Sequence, residues 1–175
     1  MQFSISLIIA FFFSLFSLAV NALPSDISQP IRIEADSATR DESKGQTIYE
    51  GDVKISQGSL IITAEHIVIN DTNTQPDSIF ARGKPATLSQ QLSLEGERVY
   101  ASAMEISYVL SSGKVEFKKN AKISQSGSKI TSETINYNVK EQIINAQSSG
   151  KNSRVEVVIP AQISPENTAP EEDTE

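Results

Sequence analysis

The chain contains no cysteine and no tryptophan, and it has a single histidine among 175 residues. Without cysteine, the protein has no disulfide framework, no thiolate metal site and no cysteine nucleophile. Basic side chains are also few, with 15 Lys and Arg against 22 Asp and Glu, which gives a formal net charge of -7. Such a chain lacks the basic face that gains free energy by releasing counterions from a polyanion. The composition therefore argues against a nucleic-acid binder.

The beginning of the chain has no charged side chain over residues 1–22, and it holds five of the seven phenylalanines. The apolar run ends in Val20-Asn21-Ala22, short residues of the kind that precede a signal cleavage site. The sequence predicts a cleavable secretory signal over residues 1–22, cut after Ala22. An uncleaved membrane anchor is the competing interpretation, because the run approaches the length of a short membrane-spanning helix.

The other end is acidic, since residues 166–175 carry five acidic groups and no basic one. A segment with high net charge and few apolar residues cannot bury enough surface to fold. We expect residues 164–175 to form a disordered acidic tail. Residues 23–163 then form one nearly neutral domain of about 140 residues, which is long enough for a core without covalent cross-links.

The body of the chain has the composition of β-strands. From residue 23 onward there are 18 Ile and 9 Val, but only 6 Leu and two Phe, and β-branched residues favour strands. Apolar and polar residues alternate in Ile31-Arg32-Ile33-Glu34 and in Val53-Lys54-Ile55-Ser56, as expected for strands with one buried and one solvated face. Turn-forming residues fall between such runs. The sequence therefore predicts an all-β fold, either a sandwich, a barrel or a roll.

Internal repetition is the more specific signal. Three segments share a small residue, an Ile three positions later, and an Ile or Tyr five positions later; they begin at Ala64, Ala103 and Ser132. Residues 35–38 look like a weaker first copy. Each copy leads across a turn into a second strand-like run, so the repeated unit is a hairpin. In these second runs a Gly or Asn follows an aromatic residue, as in Tyr49-Glu50-Gly51 and Phe117-Lys118-Lys119-Asn120. We expect it to permit a bulge or a positive φ where the sheet curves.

The order and spacing of five short motifs resemble the OstA-like family of lipopolysaccharide export proteins over about residues 26 to 163. The motifs are Gln29-Pro30-Ile31-Arg32-Ile33-Glu34-Ala35-Asp36, Tyr49-Glu50-Gly51-Asp52-Val53, Gly83-Lys84-Pro85-Ala86-Thr87-Leu88, Val139-Lys140-Glu141-Gln142 and Arg154-Val155-Glu156-Val157-Val158-Ile159-Pro160. The resemblance implies an antiparallel β-jellyroll that is V-shaped, slightly twisted and open at both ends. It also implies a location in the periplasm.

The function that the resemblance implies is the transport of lipopolysaccharide to the outer membrane. The implied partners are lipopolysaccharide, held by its lipid A acyl chains, a bitopic inner-membrane protein with a similar β-jellyroll, and the N-terminal domain of the outer-membrane translocon. Further copies of the chain are expected to join head to tail. No cofactor, metal or catalytic residue is implied.

The apolar interior is the expected lipid site. Periodicity alone leaves open whether this interior is a filled core or a groove. If it is a groove, the residues expected to line it are the alternating apolar set: Ile31, Ile33, Val53, Ile55, Ile67, Ile69, Leu88, Ile106, Tyr108, Phe117, Ile123, Ile135 and Tyr137.

Strand edges are the expected interface, because the unpaired edges of an open roll pair with other chains unless they are blocked. The predicted edge strands are residues 31–36 and 154–159, which alternate cleanly and have no internal proline. The residues expected to form the interface are Ile31, Arg32, Ile33, Glu34, Arg154, Val155, Val157 and Ile159.

Two alternatives remain at this point. A secreted scaffold without lipid cargo shares every strand and edge argument. A polysaccharide hydrolase would use a carboxylate pair drawn from Asp36, Asp52, Glu65 and Glu133, but each lies at a polar position or in a turn, and there is no tryptophan platform for sugars. In the alternation of its strand, His66 occupies a position on the face that is expected to be solvated. Lys118, Lys119, Lys122 and Arg32 either meet lipid phosphates or lie at a solvated edge.

Overall fold

A computed structural model describes residues 26–72, 75–92, 97–149 and 153–161 of the chain. The strands in these ranges are β1 (Arg32–Glu34), β2 (Ser37–Asp41), β3 (Gln46–Gln57), β4 (Leu60–Thr72), β5 (Gln75–Gln91), β6 (Arg98–Val109), β7 (Lys114–Gln125), β8 (Ser128–Asn138), β9 (Ile143–Gln147) and β10 (Glu156–Val158). A short 3-10 helix, Asp26–Ser28, precedes them. The same ranges hold no helix that is long and apolar enough to cross a membrane. The predicted signal and acidic tail lie outside the described residues.

The ten strands form one antiparallel sheet that does not close on itself, which confirms the all-β prediction. The order is β1-β3-β4-β5-β6-β7-β8-β10, with β2 also paired to β3 and β9 also paired to β8. The strands from β3 to β8 follow one another as hairpins, as the repeats predict. Each end of the sheet is therefore covered by two short strands rather than by one long strand.

A line of register breaks crosses the sheet. The pairing shifts between Glu50 and Val53 in β3, and corresponding shifts occur along the four ladders from β4 to β8. Gly51 and Asn120 have φ values of 79° and 59° at these breaks, so the predicted positive φ after an aromatic residue is confirmed at both positions. Because bulges bend the strands that carry them, this line folds the sheet; we call it the bend.

The bend divides the sheet into two halves of eight strands each. The first half-sheet contains β1, β10 and residues 53–57, 60–64, 86–91, 98–103, 121–125 and 128–132. The second half-sheet contains β2, β9 and residues 46–50, 66–72, 75–82, 105–109, 114–118 and 134–138. The long strands run through both halves without interruption, so the two halves share one backbone hydrogen-bond network.

The core lies between the two half-sheets. Among the described residues, 21 buried apolar side chains are between 0 and 5% exposed, and they form one cluster drawn from both halves. A sheet face reaches such burial only when another layer covers it. In the described part of the chain the only layers are the two half-sheets, so they cover each other.

Small side chains line the inner face of the bend. Ala86, Ala103 and Ala121 are each 0% exposed, and Ser132 lies opposite Ala121 on the neighbouring strand. Two backbones approach closely where a sheet folds on itself, and larger side chains do not fit there. Two of these small residues, Ala103 and Ser132, begin sequence repeats, so the repeats supply part of the small lining of the bend.

Candidate functional site

The candidate site is the apolar interior between the half-sheets. In the first half-sheet, a row of directly paired residues runs from one edge to the other: Ile33, Ile55, Ile62, Leu88, Ala101, Ile123, Ile130 and Val157. In the second half-sheet, a matching row consists of Ala38, Tyr49, Ile67, Ala81, Ile106, Phe117, Ile135 and Ala146. The interior thus presents an unbroken apolar surface across the whole width of the sheet.

All thirteen residues predicted to line a lipid groove belong to this interior. Eleven of them are buried in the core, while Ile31 and Ile33 are partly buried and pack against it. Their side chains contact one another, so the described structure has a filled centre. Their role in lipid binding stays a prediction.

The interior is closed along the bend and opens on the opposite side, which we call the mouth. The mouth is bordered by the turns at residues 58–59 and 126–127 of the first half-sheet and 42–45 and 110–113 of the second. A cleft of about 300 Å³ opens here towards the C-terminal end of the sheet. Ile123 and Ile130 line it from the first half-sheet and Ile144 from the second. The two halves therefore part at this place.

Polar groups collect at the mouth. Gln57 and Gln90 are the buried polar residues of the first half-sheet on this side, at 7 and 8% exposure. In the second half-sheet, burial raises the pKa of the Tyr137 hydroxyl, which has no hydrogen-bond partner among the described residues. The pKa of Tyr108 is also raised, mainly by burial and to a smaller extent by the negative charge of Asp26.

The short helix at the start of the described chain lies against this polar group. Asp26 Oδ1 accepts a hydrogen bond from the Ser59 backbone N–H at 2.8 Å, and Asp26 Oδ2 accepts one from the Ser59 hydroxyl at 2.7 Å. Gln90 Nε2 also donates to Asp26 Oδ2, at 3.0 Å. Nothing in the local sequence indicates these contacts, because the partners lie 33 and 64 residues away along the chain.

The predicted interface residues lie at the two ends of the sheet. Arg32, Ile33 and Glu34 form β1, which pairs on one side only, with β3. The predicted strand of residues 31–36 is shorter in the structure, because the Asp36 N–H bonds to the Gly51 carbonyl at the bend and the chain restarts as β2. Ile31 directly precedes β1.

The C-terminal edge is β10, which pairs on one side only, with β8. Of the predicted residues, Val157 lies within β10, while Arg154, Val155 and Ile159 flank it. Val157 is 54% exposed and Ile159 is 75% exposed. Val157 ends the apolar row of the first half-sheet, so that row reaches the surface at this edge.

The outer face carries the charged residues. His66 faces outward, as its parity predicts, but it is half-buried rather than freely solvated. It lies between Glu50 and Arg82 on the neighbouring strands. Lys118 and Lys119 form ion pairs with Glu116 and Glu105, both at 2.8 Å.

The carboxylates of the hydrolase alternative are all exposed: Asp36, Asp52, Glu65 and Glu133. Within the described ranges, no three His, Asp or Glu side chains are close enough to hold a metal ion.

Residues 32–143 match the protein family described as LptA/(LptD N-terminal domain) LPS transport protein. The chain belongs to this family. It is 34% identical over 145 residues to the lipopolysaccharide export system protein LptH of Pseudomonas aeruginosa, covering 79% of this chain and 83% of that protein. It is 30% identical over 166 residues to the lipopolysaccharide export system protein LptA of Escherichia coli K12, covering 94% of this chain and 89% of that protein.

A solved structure has the same fold. It is the crystal structure of Pseudomonas aeruginosa LptH, described as the LptA homologous periplasmic component of the conserved lipopolysaccharide transport device. The TM-score is 0.73 at 32% sequence identity, covering 79% of this chain and all of that one. The resemblance to the OstA-like family and the expected antiparallel β-jellyroll are both confirmed.

Proposed function

We propose that this protein is a periplasmic lipopolysaccharide carrier that bridges inner-membrane and outer-membrane components and passes the glycolipid along its apolar interior. Membership in a family of lipopolysaccharide transport proteins supports this proposal. The observation that carries it is the apolar row of the first half-sheet, which runs from Ile33 at one edge to Val157 at the other. An acyl chain lying along such a row meets apolar side chains over its whole length.

Burial of acyl chains supplies the affinity. Each methylene removed from water contributes about 0.8 kcal/mol, so no chemical step is needed to hold a lipid with several chains. The interior must open for this, because its centre is filled in the described structure. The long strands pass through the bend, so the half-sheets separate by changing the bend angle while their ladders stay intact. The half-sheets already lie apart at the cleft beside Ile123 and Ile144, so we expect separation to begin there.

Site-specific photo-crosslinking tests the carriage of lipid. Crosslinkers at Ile31, Leu88 and Tyr108, which belong to the interior cluster, are expected to capture lipopolysaccharide in living cells. Crosslinkers at Lys54 and Glu116, which lie on the outer face, are the controls and are expected to capture little. Equal labelling at inner and outer positions would contradict the groove.

Head-to-tail joining follows from strand direction. Each half-sheet has an even number of antiparallel strands, so its first and last strands run in opposite directions. When a second copy continues the sheet, its β1 lies antiparallel to β10 of the first, and its β2 lies antiparallel to β9. Backbone hydrogen bonds between the paired strands then supply affinity, and the alternation of inward and outward side chains sets the register. The same edges fit similar β-jellyroll domains of an inner-membrane bitopic protein and of the translocon N-terminal domain.

Sedimentation tests the joining. The wild-type protein is expected to form larger species as its concentration rises, because a head-to-tail contact does not close on itself. Val157→Glu places a charge on the inner face of the joint and is expected to abolish these species. Val158→Glu is the matched control, since Val158 is similarly exposed but points to the outer face. A wild-type protein that stays monomeric at high concentration would contradict the proposal.

The filled centre supports a second candidate, a scaffold that bridges the membranes without holding lipid. Displacement of a fluorescent lipid probe by purified lipopolysaccharide separates the two. Saturable displacement supports the carrier, whereas head-to-tail joining without displacement supports the scaffold.

A further inference from the structure

Three donors, two from the turn between β3 and β4 and one from β5, converge on one carboxylate at the mouth. They are the backbone N–H and the hydroxyl of Ser59 and the side-chain amide of Gln90, at 2.7 to 3.0 Å from the Asp26 oxygens. We call these three groups the cradle. Hydrogen bonds to an ionised acceptor are stronger than neutral ones, so the cradle is a place where a negative charge is favoured.

The backbone shapes the cradle for close approach. Gly58, with a φ of 58°, precedes Ser59 in the turn between β3 and β4, and a side chain at this position would run into the Asp26 carboxylate. The turn therefore leaves space for an anion directly against the backbone. Anion sites made of backbone N–H groups commonly use such a glycine conformation.

Apolar residues of the interior adjoin the cradle. Ser59 precedes Leu60, and Gln90 pairs with Val99, and both of these apolar residues are buried in the core. Asp26 also lies close enough to Tyr108 of the second half-sheet for its charge to act on the phenol. An anion in the cradle therefore sits where the acyl chains of a bound lipid would end.

One polar atom at the cradle is left unsatisfied by Asp26. Gln90 Oε1 is buried and has no hydrogen-bond partner among the described residues. A carboxylate only accepts hydrogen bonds, so Asp26 offers nothing to this second acceptor. A sugar hydroxyl or a protonated phosphate oxygen would donate to it. The vacant acceptor beside three occupied donors fits a phosphorylated sugar better than it fits a carboxylate.

We propose that the cradle binds the phosphate of a phosphorylated, acylated sugar, and that Asp26 occupies this site when no cargo is bound. The inference rests on the proposed function, because it assigns one end of the same cargo. The helix Asp26–Ser28 then acts as a competitor: cargo displaces it, and cargo release lets it return. Removal of the Asp26 carboxylate should therefore strengthen the binding of phosphorylated lipid only.

The test compares two lipids and two variants. Binding of lipid A with both phosphates, and of lipid A stripped of phosphate, is measured by displacement of a fluorescent fatty-acid probe. Asp26→Ala is expected to tighten binding of the phosphorylated lipid by about tenfold and to leave the stripped lipid unchanged. Asp36→Ala is the matched control, because Asp36 also packs against a glycine with positive φ, Gly51, but at the bend. It should change neither lipid.

A double variant, Asp26→Ala with Ser59→Ala, tests whether the Ser59 hydroxyl donates to the bound phosphate. It is expected to bind phosphorylated lipid A less tightly than the Asp26→Ala single variant does. An equal gain for both lipids would overturn the proposal, since removal of the Asp26 carboxylate would then favour lipid binding in general and not phosphate binding in particular. No gain for either lipid would overturn it as well.

Inorganic phosphate separates this proposal from the lipid-carrier function. In the Asp26→Ala protein, millimolar phosphate is expected to shift the NMR signal of the Ser59 amide, whereas the wild type should show no shift. This result would support the cradle even if neither lipid bound, in which case only the carrier function would fail. An unshifted Ser59 amide in the variant would overturn the cradle while leaving acyl-chain carriage standing.

Discussion

The bend and the mouth enclose the same interior but are built from different residues. The bend is lined by Ala86, Ala103 and Ala121, all fully buried, and it is crossed by continuous strands. The mouth holds two buried glutamines and two tyrosine hydroxyls with raised pKa, and the Asp26 carboxylate accepts hydrogen bonds there from Ser59 and Gln90, both of the first half-sheet. A side crossed by continuous strands resists separation, whereas a side joined by side-chain packing separates more readily. The interior should therefore open at the mouth and hinge at the bend.

The largest expected effect is at the bend. Ala103→Leu adds three carbon atoms where two backbones fold together, and it should lower the free energy of unfolding by about 1–3 kcal/mol. Ala146→Leu, on the same inner face but half-buried in the edge strand β9, should change it by less than about 0.5 kcal/mol. Urea unfolding measures both. Equal losses would contradict the difference in packing.

A smaller change of opposite sign is expected at the mouth. Tyr137→Phe removes a buried hydroxyl that has no partner among the described residues, so it should leave the unfolding free energy unchanged or raise it by up to about 1 kcal/mol. Tyr100→Phe, at an exposed position, is the control and should have no effect. A clear loss of stability in Tyr137→Phe would mean that the hydroxyl is hydrogen-bonded in solution.

The two buried tyrosines also predict a pH dependence. Their folded pKa values lie above the ordinary value of 10, so the unfolded chain ionises first as the pH rises. Their contribution to stability is complete below pH 10 and is lost as the pH climbs towards the raised values. Alkaline urea titrations should show this decline, and Tyr108→Phe combined with Tyr137→Phe should reduce it. An unchanged decline would contradict the burial of the two phenols.

The smallest effect is at a turn of the second half-sheet. Hydrogen bonds from Ser43 and Lys44 lower the pKa of Asp41 to about 2, so this carboxylate favours the folded state above pH 3.8 and loses that effect as the pH falls towards 2. Carboxyl NMR should find the midpoint near pH 2. Ser43→Ala should raise it, whereas Ser112→Ala, in a separate turn, should not.

Much of the interior could be predicted because alternation is a local property. Side chains two apart on a strand share a face, so every residue chosen for its alternation, from Ile31 to Tyr137, lies in the interior cluster. The bulges at Gly51 and Asn120 were also predictable, since each follows an aromatic strand residue in a repeated pattern.

The sequence by itself determined the strands, their inward faces, the repeated hairpins and the family. Each of these depends on residues that are neighbours or near neighbours in the chain. Only the tertiary structure decided that Asp26 meets Ser59 and Gln90, that small residues align along one bend, and that the apolar row emerges at Val157. These features depend on how the strands pair across the whole sheet. Pairing brings together residues that lie far apart in the chain, and the sequence around each residue does not reveal its distant partner.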